Sequence, residues 1–406
     1  MADFLQLQEE LRAEEANAQR LFAGEGTSTH AVQAKQARNA AYQRKLAEAA
    51  SMVAGALKGD RAAIRLLEAA MSTSDFPILF GDLLDRQTLA VYRERPDEWN
   101  TYAARRTVRD FREVHEQKNP FGMGAQLERV KELAEYPMRA IEEQDRIIYS
   151  VKKYGARAAF SWETMINDDM DLLKSTPERF AVAARRTEAR FVSSLFLGVN
   201  GPNATFFSNA NGNIVNLANG ARSNNPTLTI DGLQDAFTVL SNQRDEEDEP
   251  IWIEMATLVV PPSLEVIANN IVNATLIRAG GSGTAGGGGT AGQELEVANW
   301  MSRRLTVVVN PYIPINASTA NGNTSWFLFA NPNGAERPAI RIAFLRGHEE
   351  PEIFVKHPNA RRVGGGDIDA MDGDFDTDSI EYKIRHVLGG STIDPKFAVA
   401  SNGSGA

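Results

Sequence analysis

Trp326-Phe327-Leu328-Phe329-Ala330, Pro338-Ala339-Ile340, Phe344-Leu345-Arg346-Gly347 and Glu381-Tyr382-Lys383-Ile384-Arg385-His386 are the runs on which the reading of this 406-residue chain turns. Each is short and rich in the branched and aromatic side chains that suit a pleated, half-buried surface, so the last third of the chain reads as strands. Upstream, Leu305-Thr306-Val307-Val308-Val309 is a further strand, stopped by Asn310-Pro311. Ala256-Thr257-Leu258-Val259-Val260 is a buried one; Pro261-Pro262-Ser263 then makes a turn and cap before a short helix from Leu264 to Ile271. Eight glycines between Ala279 and Gly292 predict a flexible loop, and the chain resumes with Leu295 to Met301.

Two helices precede these strands. Thr229 to Gln243 carries Leu233, Ala236, Phe237 and Leu240 on one face. Ser175-Thr176-Pro177-Glu178 places a capping hydroxyl before a proline at the first helical position, which predicts a long helix ending near Leu197 or Gly198. Phe180, Ala184, Thr187, Phe191 and Leu195 hold its apolar face, with Arg179, Arg185, Arg186 and Arg190 largely on others. Before it, strand-like arms at Val108 to His115 and Ile147 to Phe160 flank a polar middle containing Asn119-Pro120-Phe121-Gly122-Met123-Gly124. Such a hairpin has little apolar face to fold back on its own domain, so it reads as an extended arm that pairs with neighbours. Residues 1–75 are proline-free, alanine-rich and helical in pattern, with narrow apolar faces such as Leu7, Leu11, Leu21 and Phe22. They pack on a partner or form a small helical domain of their own.

Composition narrows the function. A chain of this length exceeds what one core serves, so subdomains are expected. With 43% hydrophobic and 24% charged residues it has a globular composition, and no apolar run is long enough to span a bilayer. Asp3, Glu9 and Glu10 stand where a secretory signal needs a basic and then an apolar region, which predicts synthesis and retention in a cytoplasm. The absence of cysteine excludes disulfides, thiolate metal sites and a cysteine nucleophile. A net charge of −10 argues against a dedicated duplex-binding domain but not against a container for DNA.

The order of long hairpin, long helix, helix and strand ending in Val259-Val260-Pro261-Pro262, glycine-rich loop, strand at Val307 to Pro311 and return at Trp326 resembles that of tailed-phage major capsid proteins of the Hong Kong 97 type. Tyr149-Ser150-Val151-Lys152-Lys153-Tyr154-Gly155, with Ser161-Trp162-Glu163 and Ile166-Asn167-Asp168-Asp169, is similar to the far arm of that family's extended loop and its junction with the spine helix. The resemblance covers roughly residues 75–406. It implies an α+β fold with an N-terminal helical arm or scaffold-like segment (1–74) and an N-arm anchor (75–106). These lead to an extended loop (107–166), a peripheral domain with a long spine helix (167–225), an axial domain (226–350) and a peripheral return with a C-terminal strand (351–406). It implies a structural protein that assembles into hexamers and pentamers of an icosahedral head enclosing double-stranded DNA. The partners so implied are further copies of itself, a portal, and scaffold, maturation protease or decoration proteins, with no membrane partner. Contacts between subunits are implied at Phe121 and Met123 in the hairpin, Tyr154 on its returning arm, Phe180 and Phe191 in the spine helix, and Gly287 in the axial loop. An encapsulin-type compartment shares the resemblance, and an enzyme with a glycine-rich lid is the rival from another class.

Catalytic, cofactor and metal chemistry finds no address. Gly281-Ser282-Gly283-Thr284-Ala285-Gly286 matches a dinucleotide fingerprint, but more glycine follows where a helix N-terminus must hold a pyrophosphate. Asp367, Asp369, Asp372, Asp374, Asp376 and Asp378 cluster oxygens without the ligand order of a calcium loop, and so read as a solvated acidic loop. The histidines at 30, 115, 348, 357 and 386 show no paired spacing and are expected at surfaces or interfaces.

Overall fold

The computed structural model describes residues 88–95, 97–117, 129–132, 136, 146–161, 170–244, 248, 250–251, 256–279, 295–333, 337–356 and 374–405. The expected helices of residues 1–74, the hairpin tip with Phe121 and Met123, the glycine-rich loop with Gly287 and the aspartates at 367–372 lie outside the described residues. In chain order, β1 (Ala103–Val108), β2 (Val114–Gln117), β3 (Arg146–Tyr149) and β4 (Val151–Ser161) precede α1 (Met170–Phe196). After α1 come β5 (Leu197–Gly198), β6 (Gly201–Pro202), α2 (Ile230–Ser241), β7 (Ala256–Val260), α3 (Glu265–Asn273), β8 (Leu276–Ala279) and β9 (Leu295–Ala298). The chain closes with β10 (Leu305–Val309), β11 (Trp326–Ala330), β12 (Ile340–Leu345), β13 (Glu352–Val355), β14 (Ser379–Thr392) and β15 (Ala398–Ser401). Helices and mostly antiparallel sheets thus share the chain in the expected α+β manner.

Two compact units divide the chain. Among the described residues, one takes in those within 88–94, 155–181 and 352–385, the other those within 95–154, 182–351 and 386–405. In the second unit, β7 pairs in parallel with β10 and antiparallel with β11, which in turn pairs antiparallel with β15. β11 is buried on both faces, which is why its sequence is continuously apolar instead of alternating. Phe327 and Phe329 enter an aromatic core with Trp99, Tyr102, Phe196, Phe207 and Phe344. Trp326 and Leu328, one residue out of phase, enter a second core under α2 and α3 with Leu233, Leu240, Ala268 and Ile271. Thr229, read from the sequence as the first residue of the helix, is its cap instead, the hydroxyl accepting from the Gly232 amide at 3.1 Å.

β1 runs parallel to β12, with Ala103 opposite Ile340 and Val108 opposite Leu345. β12 pairs antiparallel with the end of β14. Ile340, Ile342 and Phe344 join the aromatic core; Ala343 and Leu345 face the other way, with Val108, Tyr149, Val151 and Val387. Val108 therefore ends a sheet strand instead of beginning the hairpin arm, which starts at Val114; likewise β4, on the returning side, pairs with β14. The correction has a plain cause, since Val108 and Val151 are buried and a freely projecting arm would expose them.

In the first unit, β13 pairs antiparallel with β14, Glu352 lying opposite Arg385. Phe160, Phe180, Ile380, Tyr382 and Ile384 form its core, and the Phe160 and Tyr382 rings meet edge-on at 5.8 Å.

The end of α1 agrees with the sequence reading, but its start does not. It begins at Met170, so Pro177 lies inside the helix. A proline removes one backbone donor and marks a boundary only when the preceding residues have nothing to gain by remaining helical. At 27 residues the helix is about 40 Å long. Its buried stripe is also displaced from the expected face. Ala184, Glu188, Val192 and Phe196 are buried at successive four-residue steps, while Thr187, Phe191 and Leu195 lie half-buried beside them.

Candidate assembly surface

The hairpin base is the best-defined feature with a bearing on function. β2 and β3 pair with Val114 opposite Tyr149 and His115 opposite Ile148. Alternation turns Val114, Glu116, Ile147 and Tyr149 inward and leaves His115 and Ile148 exposed, so each side of the ribbon has its own role. Glu116 is the clamp. Its Oε2 accepts from Arg106 Nη1 at 2.7 Å and from the Tyr149 hydroxyl at 3.0 Å, and its Oε1 pairs with Arg341 Nη1. Arg106 stands on β1 and Arg341 on β12, so one carboxylate ties the ribbon to both strands of the parallel pair. Charge-assisted bonds of this kind are roughly twice as strong as neutral ones. Burial, and then the negative charge of Glu116, raise the Tyr149 hydroxyl above the ordinary tyrosine range, keeping it a proton donor. Phe111, in the turn before β2, and Ile148 are each about half exposed, which leaves apolar area where the hairpin leaves the sheet.

A second cluster fixes the C-terminal part of α1 in the second unit. Glu188 is wholly buried and accepts from Trp99 Nε1 at 3.1 Å and from Arg185 Nη1 at 3.1 Å. His386 Nε2 lies 2.9 Å from its other oxygen. Phe344 packs beside both rings, 6.0 Å from Trp99 and 5.8 Å from His386, with the Arg105 guanidinium 4.7 Å above it. His386 is thus a core residue, contrary to the expectation that every histidine is at a surface or an interface. Its place in β14 turns it toward Glu188, the one carboxylate in the helix's buried stripe among the described residues, and the pair offsets the cost of burying either group.

Of the expected contact residues, Tyr154 and Phe191 are brought together, their rings edge-on at 6.5 Å. Phe180 lies in the separate core of the first unit. Sequence reasoning missed Glu116, Glu188 and His386. A signal existed for Glu188, an acid standing four residues from both Ala184 and Val192; nothing local marks Glu116.

The sequence profile of a family described as phage capsid protein matches residues 144–401. No curated protein matches the chain. Solved structures that match include one of Gordonia phage Cozz, at 14% identity over 75% of this chain and 84% of that one, with a TM-score of 0.39. A virus-like particle from Pyrococcus furiosus matches at 8% identity over 79% and 99% of the two chains, TM-score 0.37. The holo-SrpI encapsulin complex from Synechococcus elongatus matches at 12% identity over 76% and 89%, TM-score 0.42.

Proposed function

We propose the following for this chain, which belongs to the phage capsid protein family: it is the repeating protomer of an icosahedral head, forming hexamers and pentamers around double-stranded DNA. The observation that carries the reading beyond family membership is the hairpin base. A ribbon held to its sheet by Glu116, with exposed Phe111 and Ile148 at its root, is firm at one end and has apolar area to offer a neighbour. Phe121 and Met123, further along the same excursion, would meet another subunit, and Gly287 would lie in the axial domain near the capsomer centre. Glycine suits that position because few steric obstacles oppose different conformations around five- and six-fold axes. Residues 1–74 would act as an assembly arm, with a portal and scaffold or decoration proteins as further partners. The protomer would be made in the host cytoplasm and end in the virion.

Electron microscopy of the purified full-length chain tests this reading. Closed particles or capsomers are expected, and particles formed with the other head components should contain nucleic acid. Monodisperse monomers at micromolar concentration that do not convert on crowding would overturn it, and shells filled with protein cargo would point to a compartment instead. Deletion of residues 1–71 should leave soluble chain that yields aberrant shells or none.

A further inference from the structure

Several arginines of the second unit are neutralised within the chain: Arg185 pairs with Glu188, Arg106 with Glu116, and Arg222 with Asp235. Arg186 and Arg190 are different. With Ala183 and Ser194 they occupy positions three or four residues apart along the exposed stripe of α1. Neither makes an ion pair among the described residues. The Tyr154–Phe191 ring contact lays β4 alongside this part of the helix. Lys152, two residues from Tyr154 and so on the same side of its strand, is exposed and also without an ion pair among the described residues. Arg186 and Arg190, one turn apart on α1, and Lys152 on the strand packed beside that helix are thus three exposed cations on adjacent elements of a chain whose net charge is −10.

From this we infer that Arg186, Arg190 and Lys152 form a contact surface for the phosphate backbone of double-stranded DNA, read without regard to sequence. The inference rests on the shell function proposed above and names the surface that meets the contents. Two observations favour a polyphosphate over a protein segment. A docked helix needs an apolar seam, and the exposed large apolar side chains among the described residues include none on β4 or α1. Arginines one helical turn apart carry donors that phosphate oxygens accept in any base context, which is how proteins hold a duplex without reading it. With three cations the contact is weak, as befits a wall that must let its contents move.

The test uses the full-length chain below the concentration at which it assembles and a fluorescent mixed-sequence duplex of about 30 base pairs, with affinity followed against salt. Three phosphate contacts predict a slope of log affinity on log salt of about −2.7. R186A/R190A should flatten the slope by about two, while R244A, which breaks only the exposed pair with Asp248, should leave it unchanged. No binding by the native chain at low salt, or an unchanged slope in the double variant, overturns the inference. So does capture of a synthetic peptide of residues 1–28 that is lost in the double variant, which would assign the surface to the acidic N-terminal segment. Particle formation by R186A/R190A, seen by electron microscopy, reports separately on the shell function, so the two readings fail independently.

Discussion

Replacing Glu188 with Leu tests whether the buried cluster is a tie or a tolerated defect. Glu188 is 0% exposed, and its carboxylate serves Trp99 Nε1, Arg185 Nη1 and His386 Nε2 within 3.1 Å. Leucine is of similar size, so the cavity is small and the loss is almost wholly polar. Each buried donor deprived of its acceptor costs about 1–3 kcal/mol, and breaking a buried ion pair by removing one member costs about 3–5 kcal/mol. Arg185 recovers part of its share from Asp97, 3.9 Å away, so E188L should destabilise the unit by about 3–5 kcal/mol. The assay is guanidinium unfolding of the full-length unassembled chain, read as a shift in midpoint at unchanged slope. The second arm is E188L/H386L, which removes the histidine that had lost its carboxylate. If the penalty lies in unmet polar groups, the double variant should be no worse than E188L and should regain about 1–2 kcal/mol, because apolar replacement of both partners is close to neutral. An E188L midpoint indistinguishable from the native one, or a double variant whose losses simply add, would refute the reasoning.

Further outcomes follow from other contacts. Gly389→Ala would drive a Cβ into the Ser150 carbonyl oxygen and to 2.8 Å from Val151 Cα; both are backbone atoms that cannot swing away, so a loss above about 3 kcal/mol and little soluble chain at 37 °C are expected, checked by the soluble yield. Tyr102, raised by burial and then by the Glu98 charge, and Tyr382, raised by burial, have hydroxyls held well above the ordinary tyrosine pKa of about 10. Above that pH the unfolded chain loses these protons first, so their stabilisation is complete below about pH 10 and declines as pH rises; Tyr102→Phe should flatten the alkaline limb of the thermal-stability profile. Glu116→Gln should cost about 1–3 kcal/mol locally and speed amide exchange in β3 by about tenfold or more, measured by hydrogen exchange, with little change in the exchange of β11. Phe191→Asp places a charge beside Tyr154 in a half-buried site and should abolish folding or particle formation; normal particles by electron microscopy would show that the ring pair is dispensable.

Sequence alone determined the strands and helices whose identity is written in local chemistry. Trp326–Ala330 had to be a strand, because its aromatic and branched side chains suit a pleated surface, and Ala256–Val260 a buried one, because its run is almost continuously apolar. The capsid resemblance, carried by the order of such elements, agrees with the family match over residues 144–401. Only the tertiary structure decided what depends on who faces whom. It carried α1 through Pro177, moved its buried stripe by one position to include Glu188, and returned Val108 and Val151 from an imagined free arm to a sheet. It also gave His386 a buried partner 198 positions away in sequence and Glu116 a partly buried one 225 positions away. A side chain's period along its own element is a local property, whereas the partner that makes a buried charge tolerable comes from another element, and no spacing within one segment encodes it.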